Sequence, residues 1–346
     1  PRAARLPMAK ETKSINLALQ GGGSHGAFAW GVLDRLLEDE RIDIEGIVGT
    51  SAGAMNAAVL SYGLTIGGNA GARAKLREFW NSVGEVAGYP PLQPSLLDRA
   101  TGPGNMDHSP LWFMFDAMTR FWSPYQFNPL NSHPLRDVLM EVVDFDRLRR
   151  ESKVRLFTCA ANVKSGRIRV FECHEMCIEA VLASACLPFM FQAVEVDGEH
   201  YWDGGYMGNP PIFPLIYNCA SRDVLLVMIN PIVVDEVPTS AQAIFDRINT
   251  LSFNSSLMRE MRAINFVTRL VDAGFDDGGR LKRMFIHCVD AEDEMRKLGV
   301  SSKLNAQWDF LMWLYELGRG RAGAFLEAHY DSLGRESSTD VGTRFL

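Results

Sequence analysis

The sequence predicts an α/β fold built on a mostly parallel sheet. Two observations carry that expectation. Within the first 63 residues the order strand, glycine turn, helix occurs twice in succession. Downstream, "VRLFTCAANV" (154–163) and "DVLLVMIN" (223–230) are short apolar runs that read as buried strands. Strands alternating with helices assemble into a parallel sheet covered by the helices.

Taken in order, "PRAARLPMAKETK" (1–13) reads as a disordered polar tail without the apolar stretch of a signal peptide. "SINLALQ" (14–20) is a buried strand ending at a glycine run. "AFAWGVLDRLLEDE" then places apolar residues at helical spacing, and "IEGIVG" (44–49) is a second strand. "SAGAMNAAVLSYG" (51–63) is rich in alanine and reads as a helix stopped by Gly63. Residues 84–134 break the alternation with many prolines and glycines and the cluster "LWFMFDAMTRFW" (111–122), so they read as an insertion over the sheet. "VRLFTCAANV" and "IRVFEC" (168–173) are strands joined by the turn "KSGR", and "MCIEAVLASACL" (176–187) is a helix stopped by Pro188. Residues 239–272 have helical periodicity, "RMFIHCV" (283–289) is a last strand, and 303–331 is helical before a polar tail beyond Gly334. The expected organisation is a tail over 1–13, a main domain over 14–235 with the insertion at about 84–134, and a mostly helical part over 236–346 packed on the same domain.

Composition excludes several classes of function. A net charge of -7 over 346 residues argues against nucleic acid as a partner, and 47% apolar residues suffice for a sizeable core. No window holds the roughly 18 consecutive apolar residues that a membrane span needs. The six cysteines (159, 173, 177, 186, 219, 288) are spaced irregularly, which points to reduced thiols and a cytoplasmic setting. "ECHEMC" (172–177) brings Cys173, His174 and Cys177 together but lacks a fourth ligand, so no metal is expected.

The most informative short motif is "GTSAG", Gly49 to Gly53, set between a strand and a helix. That is the context of a nucleophile elbow, in which Gly49 and Gly53 leave room for a sharp turn and Ser51 projects from the sheet edge. The N–H groups opening the next helix, Ala52 first, then face any negative charge that develops there. A nucleophilic serine needs a base. His108, His133, His174, His200, His287 and His329 follow Ser51, but none lies in a loop with a catalytic context. Asp203, in "YWDGGYMGNPP" (201–211), is the other candidate; Gly204 and Gly205 beside it allow close approach of backbone or substrate. By itself D-G-G also describes a plain turn. An ordinary aspartate is too weak a base at neutral pH, and burial would strengthen it.

"GGGSHG", Gly21 to Gly26, follows the first strand and matches the G-x-G-x-x-G of dinucleotide-binding folds. Such folds place an acidic residue at the tip of the second strand, and here that tip reads "VGTSAG". The same glycines can instead build an oxyanion hole from backbone N–H groups, with Gly22 and Gly23 as the main donors and Gly21 and Ala52 contributing.

Glycine loop, elbow and D-G-G, at 21, 49 and 203, resemble in order and separation the patatin-like phospholipase family, and "ASACLPFMF" (183–191) resembles a further block of that family. The resemblance spans roughly residues 15 to 230. It implies a three-layer α/β/α sandwich with a patatin-like catalytic domain, a Ser51–Asp203 dyad without histidine, an oxyanion hole in the 21–26 loop, and hydrolysis of lipid acyl esters without a cofactor. Many members carry Arg or Lys where this chain has His25, so no motif cation is expected there; N–H donation does not depend on it. Competing expectations are an α/β-hydrolase with a Ser-His-Asp triad and a non-catalytic lipid- or nucleotide-binding module. Trp112, Phe113, Phe115, Met118, Phe121 and Trp122 of the insertion are candidates for acyl-chain recognition or peripheral membrane contact. The helical region 239–332 offers surface for a homodimer.

Overall fold

Among the described residues eight strands form one sheet: β1 Lys13–Leu19, β2 Ile42–Gly49, β3 Arg155–Asn162, β4 Ile168–Glu172, β5 Val194–Val196, β6 Glu199–Asp203, β7 Asp223–Val227 and β8 Phe285–Val289. The structure, a computed structural model, describes residues 12–87, 93–275 and 278–346. The expected tail therefore lies outside the described residues except for its last two, and Lys13 already belongs to β1.

Strands β3, β2, β1, β7 and β8 are neighbours in that order and all run parallel. Their side chains alternate between two cores. Leu17, Leu19, Ile47, Leu225 and Val227 face one side, which is covered by the helices Gly26–Glu38, Ala52–Ala87 and Trp308–His329. Ala18, Val48, Val224, Leu226 and Ile286 face the other, which is covered by Phe213–Asn218, Ala241–Asp272 and Val341–Phe345. The result is a three-layer α/β/α sandwich, as the family resemblance implies.

One detail of register positions the site. Thr158 of β3 pairs with Gly49 of β2 and with Phe171 of β4. Ala160, two residues on, pairs with Asp203 of β6 and with Arg169 of β4. A strand has only two edges, so β2 and β6 share the edge of β3 that β4 leaves open. β6 takes up that edge beyond the point where β2 stops and runs antiparallel to β3 towards β2, which brings its last residue, Asp203, to the tip of β2.

Two readings change in detail. The helix expected to stop at Gly63 continues, and the break in Ala52–Ala87 falls at Gly67 and Gly68, where Gly68 has a φ of 58°. Gly63 is there for packing, since a Cβ on it would collide with Ala72 in the segment that folds back. The insertion contains the helices Leu96–Thr101, Pro110–Phe121 and Pro124–Phe127, and its last residue opens the helix Pro134–Val142. Prolines that break the pattern in sequence start three of these helices, at a position where a missing N–H costs nothing. Residues 88–92 of the insertion lie outside the described residues. All six cysteines are free thiols; Cys159, Cys186 and Cys219 are buried and the other three half-buried.

Candidate functional site

Ser51 sits between β2 and the helix Ala52–Ala87 with a φ of 56°, left-handed backbone that a non-glycine residue holds only under constraint. The constraints are visible. A Cβ on Gly49 would strike the backbone of Gly53, and one on Gly53 would strike the carbonyl of Leu19, so the crossing of strand and helix tolerates only glycine at both places. The Ser51 N–H donates to the buried Ser184 Oγ at 3.0 Å, and the carbonyl of Ser51 receives Ala54 N at 2.9 Å. Thr50 Oγ1 donates to the Gly208 carbonyl at 2.7 Å, which ties the turn to the segment after Asp203.

Asp203 closes β6 and is fully buried. Its N–H donates to the Cys186 carbonyl at 2.8 Å, and its Oδ1 accepts from Gly205 N at 2.7 Å. Gly204 and Gly205 are required by close approach: a Cβ would collide with the Cys159 carbonyl at the first and with the Phe253 ring at the second. Oδ2 is buried with no hydrogen-bond partner among the described residues. Burial pushes the carboxyl up from 3.8 to about 7, while the Gly205 amide, the Ser51 hydroxyl and the Lys303 ammonium, in that order, pull it back. The Ser51 hydroxyl is thus near enough to act on the carboxyl yet short of a formed hydrogen bond to it.

The glycine loop lies against the elbow. A Cβ on Gly21 would sit 2.5 Å from Ser51 Cβ, and one on Gly26 would sit 2.8 Å from Ala52 Cβ. Gln20 Oε1 accepts from Ile229 N at 2.8 Å and from Asn230 N at 3.0 Å, which fixes where β1 ends. Gly21 N donates to Asn209 Oδ1 at 2.7 Å, so that amide is already engaged. The N–H groups of Gly22, Gly23 and Ala52 hold no such side-chain acceptor among the described residues.

Sequence reasoning brings Ser51, Asp203 and both glycine motifs to one place, and the structure has them adjacent. It assigns no role to Ser184, Asn209, Asn230 or Lys303. Ser184, Asn209 and Asn230 lie inside quoted stretches, "ASACLPFMF", "YWDGGYMGNPP" and "DVLLVMIN", but nothing in "DVLLVMIN" gives Asn230 more than a place at a strand end, and nothing local marks Lys303. None of the histidines that follow Ser51 in the chain hydrogen-bonds it among the described residues. His287 instead joins Asp223 (3.0 Å) and Ser338 (2.9 Å), with Asp223 at the N-terminal start of β7, whereas Ser51 follows the C-terminal end of β2. His133 stacks on Phe191 at 4.1 Å, and His108 bonds Asp98 at 2.9 Å. A cavity of about 270 Å³ lies behind the glycine loop, lined by His25, Ile229, Asn230, Arg247 and Lys303 among others; neither Ser51 nor Asp203 lines it.

Fold and site together define an α/β sandwich protein whose second strand ends in the strand–turn–helix geometry of a nucleophile elbow. Residues 17–216 match the family model described as patatin-like phospholipase, and the chain belongs to that family. Membership supports a lipid ester hydrolase. No curated protein matches the chain. Among solved structures it is similar to VipD from Legionella pneumophila, at 16% identity over 93% of this chain and 67% of that chain, with a TM-score of 0.47. It is also similar to the ExoU–SpcU complex from the type III secretion system of Pseudomonas aeruginosa, at 17% identity over 92% of this chain and 52% of that chain, with a TM-score of 0.37. The chain thus spans two thirds of the length of the first and about half of the second. Among the described residues no helix is long and apolar enough to cross a membrane.

Proposed function

We propose that the protein is a serine acyl hydrolase of the phospholipase A or lysophospholipase type, with Ser51 as nucleophile and Asp203 as its base. The observation that carries this reading is the Asp203 carboxyl: buried, lifted to about 7, with an unpartnered Oδ2 and with the Ser51 hydroxyl acting on it. A base with that affinity is half ionised near neutral pH, where proton transfer works best. Asp203 takes the Ser51 proton as Oγ attacks the ester carbonyl. The tetrahedral oxyanion is held by N–H groups of Gly22, Gly23 and Ala52, with Gly21 shaping the loop. The alcohol or lysolipid leaves with the proton from Asp203. Water, deprotonated by the same carboxylate, then releases the fatty acid.

The substrate would be an acyl lipid met at an interface. Leu111, Phe113, Met114, Phe121 and Trp122 are exposed large apolar side chains of the insertion, and they supply the surface for peripheral membrane contact.

Covalent labelling with a fluorophosphonate, read by intact mass, tests the reading. One adduct on the wild type, absent in Ser51→Ala and strongly slowed in Asp203→Asn, is the expected result. Equal labelling of all three proteins removes the dyad.

A further inference from the structure

The glycine loop is held from a part of the chain far outside the residues that match the family model. The short helical turn Val300–Leu304 reaches it in three ways. Ser302 Oγ lies 2.7 Å from His25 Nε2. Because the Ser302 hydroxyl donates its one proton to the Gly299 carbonyl at 2.6 Å, His25 is the donor in that pair. The Lys303 carbonyl fills the space that a Cβ on Gly23 would need, and Gly23 has a φ of 60°. Lys303 Nζ donates to Asn230 Oδ1 at 2.8 Å, and Asn230 Nδ2 donates to the Gly21 carbonyl at 2.8 Å. Gly21, Gly23 and His25, half of the loop, therefore rest on this turn directly or through Asn230.

Charge follows the same route. His25 is buried, and burial first and the Lys303 charge second drive it down to about 3, so the imidazole is neutral. Among the described residues Lys303 acts with Asp246 on the helix Ala241–Asp272, Asp203 at the end of β6 and His25 on the loop, and Asp235, Glu236, Arg247 and Arg296 line the same cavity. Lys303 is half-buried on the wall of the cavity behind the loop, and its field reaches the Asp203 carboxyl.

We propose that Lys303 is a positioning residue for the Ser51–Asp203 reaction: through Asn230 it fixes the glycine loop, and its ammonium supplies the positive charge that His25 does not. The charge favours the Asp203 carboxylate and the oxyanion that forms beside it, without touching either. The inference rests on the serine hydrolase reading for its kinetic half only; the loop can be followed without turnover.

The experiment compares wild type, Lys303→Met and Lys303→Arg, each shown to melt cooperatively. It measures fluorophosphonate labelling rate against pH and hydrogen exchange of the amides of residues 20–26. Lys303→Met is expected to label at least about tenfold more slowly at neutral pH, less than the loss of an oxyanion donor itself. Its rising limb should move to higher pH, because Asp203 loses a neighbouring cation. Its loop amides should exchange faster. Burial lowers Lys303 to about 8, so wild-type labelling should fall again above that pH. Lys303→Arg keeps its charge there, should restore the rising limb, and should lose the fall. A Lys303→Met protein with the wild-type rate, limb and exchange overturns the proposal. If wild type is not labelled at Ser51, the hydrolase reading fails by itself, and the exchange comparison alone decides whether Lys303 positions the loop.

Discussion

The Ser51 backbone N–H donates to the Ser184 hydroxyl at 3.0 Å, so the strained residue of the elbow is fastened by a side chain 133 positions away. Ser184 is fully buried at the end of the helix Ile178–Ser184. Ser184→Ala leaves the Ser51 N–H buried without an acceptor, a loss of about 1–3 kcal/mol. The expected outcome is a folded protein with a lower melting temperature and slower fluorophosphonate labelling. An unchanged labelling rate would mean that the left-handed turn is held by the glycine packing alone.

The pH dependence of activity follows from the same carboxyl that carries the functional reading. Asp203 is a base only when ionised, and its folded value is about 7. Labelling of Ser51 should rise with pH through that value, ahead of the fall above about 8 that Lys303 brings. In Asp203→Asn the residual rate should show no such limb. A wild-type limb near pH 4 that is absent in Asp203→Asn would mean that burial does not raise this carboxyl, and one that persists in Asp203→Asn would place the titrating group elsewhere.

Stability should move the opposite way. Asp203 is raised on folding, from 3.8 to about 7, so folding favours its neutral form. The stability associated with this group is fully present below the unfolded value and is lost as pH rises through about 7. Asparagine cannot ionise and can still accept from the Gly205 amide. Asp203→Asn should therefore melt above wild type at pH 8, by on the order of a few kcal/mol, and should lose that advantage at pH 4. Thermal denaturation at the two pH values checks it; an equal difference at both would show that the effect is packing and not charge.

The elbow was legible in the sequence because its constraints are local. Gly49 must be small because a Cβ on it would meet Gly53 four residues on, and strand and helix patterns flank the motif on either side. The placement of Asp203 was less legible. It rides on β5 and β6, strands of three and five residues, too short for any periodicity to show. The signal that was available is "DG" at 197–198, where Asp197 and Gly198 have φ values of 52° and 79°, as a two-residue hairpin turn requires. Asn230 and Lys303 could not be read at all. Their work depends on side chains meeting across the fold, with Gly21 and Asn230 separated by 209 positions. Such contacts leave no mark at any fixed spacing.

The glycines of the turn make a sharper mutational test than the serine. A Cβ on Gly53 would collide with the Leu19 carbonyl of β1, backbone that cannot move without disturbing the sheet. Gly53→Ala should cost several times the roughly 1 kcal/mol range that helix propensity would favour it by. The expected readout is loss of soluble yield or a large fall in melting temperature. By contrast Gly166→Ala, where nothing lies within 4 Å of the new Cβ, should cost only the strain of a φ of 64°.

The insertion gives the last prediction. In the helix Pro110–Phe121, Trp112 turns inward, while Phe113 and Phe121 are 69% and 79% exposed. Phe113, Ala117 and Phe121 recur every four residues and so form one outward stripe. Arg120 lies over the Phe245 ring at 4.8 Å, which ties this helix to Ala241–Asp272, and Ile248 and Leu251 continue the apolar surface there. A net charge of -7 gives no general attraction to anionic headgroups, so contact with a lipid surface must come from these side chains. Binding to neutral phosphatidylcholine vesicles should then be insensitive to salt, because apolar insertion is not screened. A Phe113→Ser, Phe121→Ser protein should bind such vesicles at least about tenfold more weakly, each exposed ring being worth on the order of 1 kcal/mol or more at the interface. Its hydrolysis of a short, water-soluble ester should stay at the wild-type rate, since neither side chain contributes to the Ser51 site. Equal losses on vesicles and on the soluble ester would instead make the stripe part of the packing that supports the site.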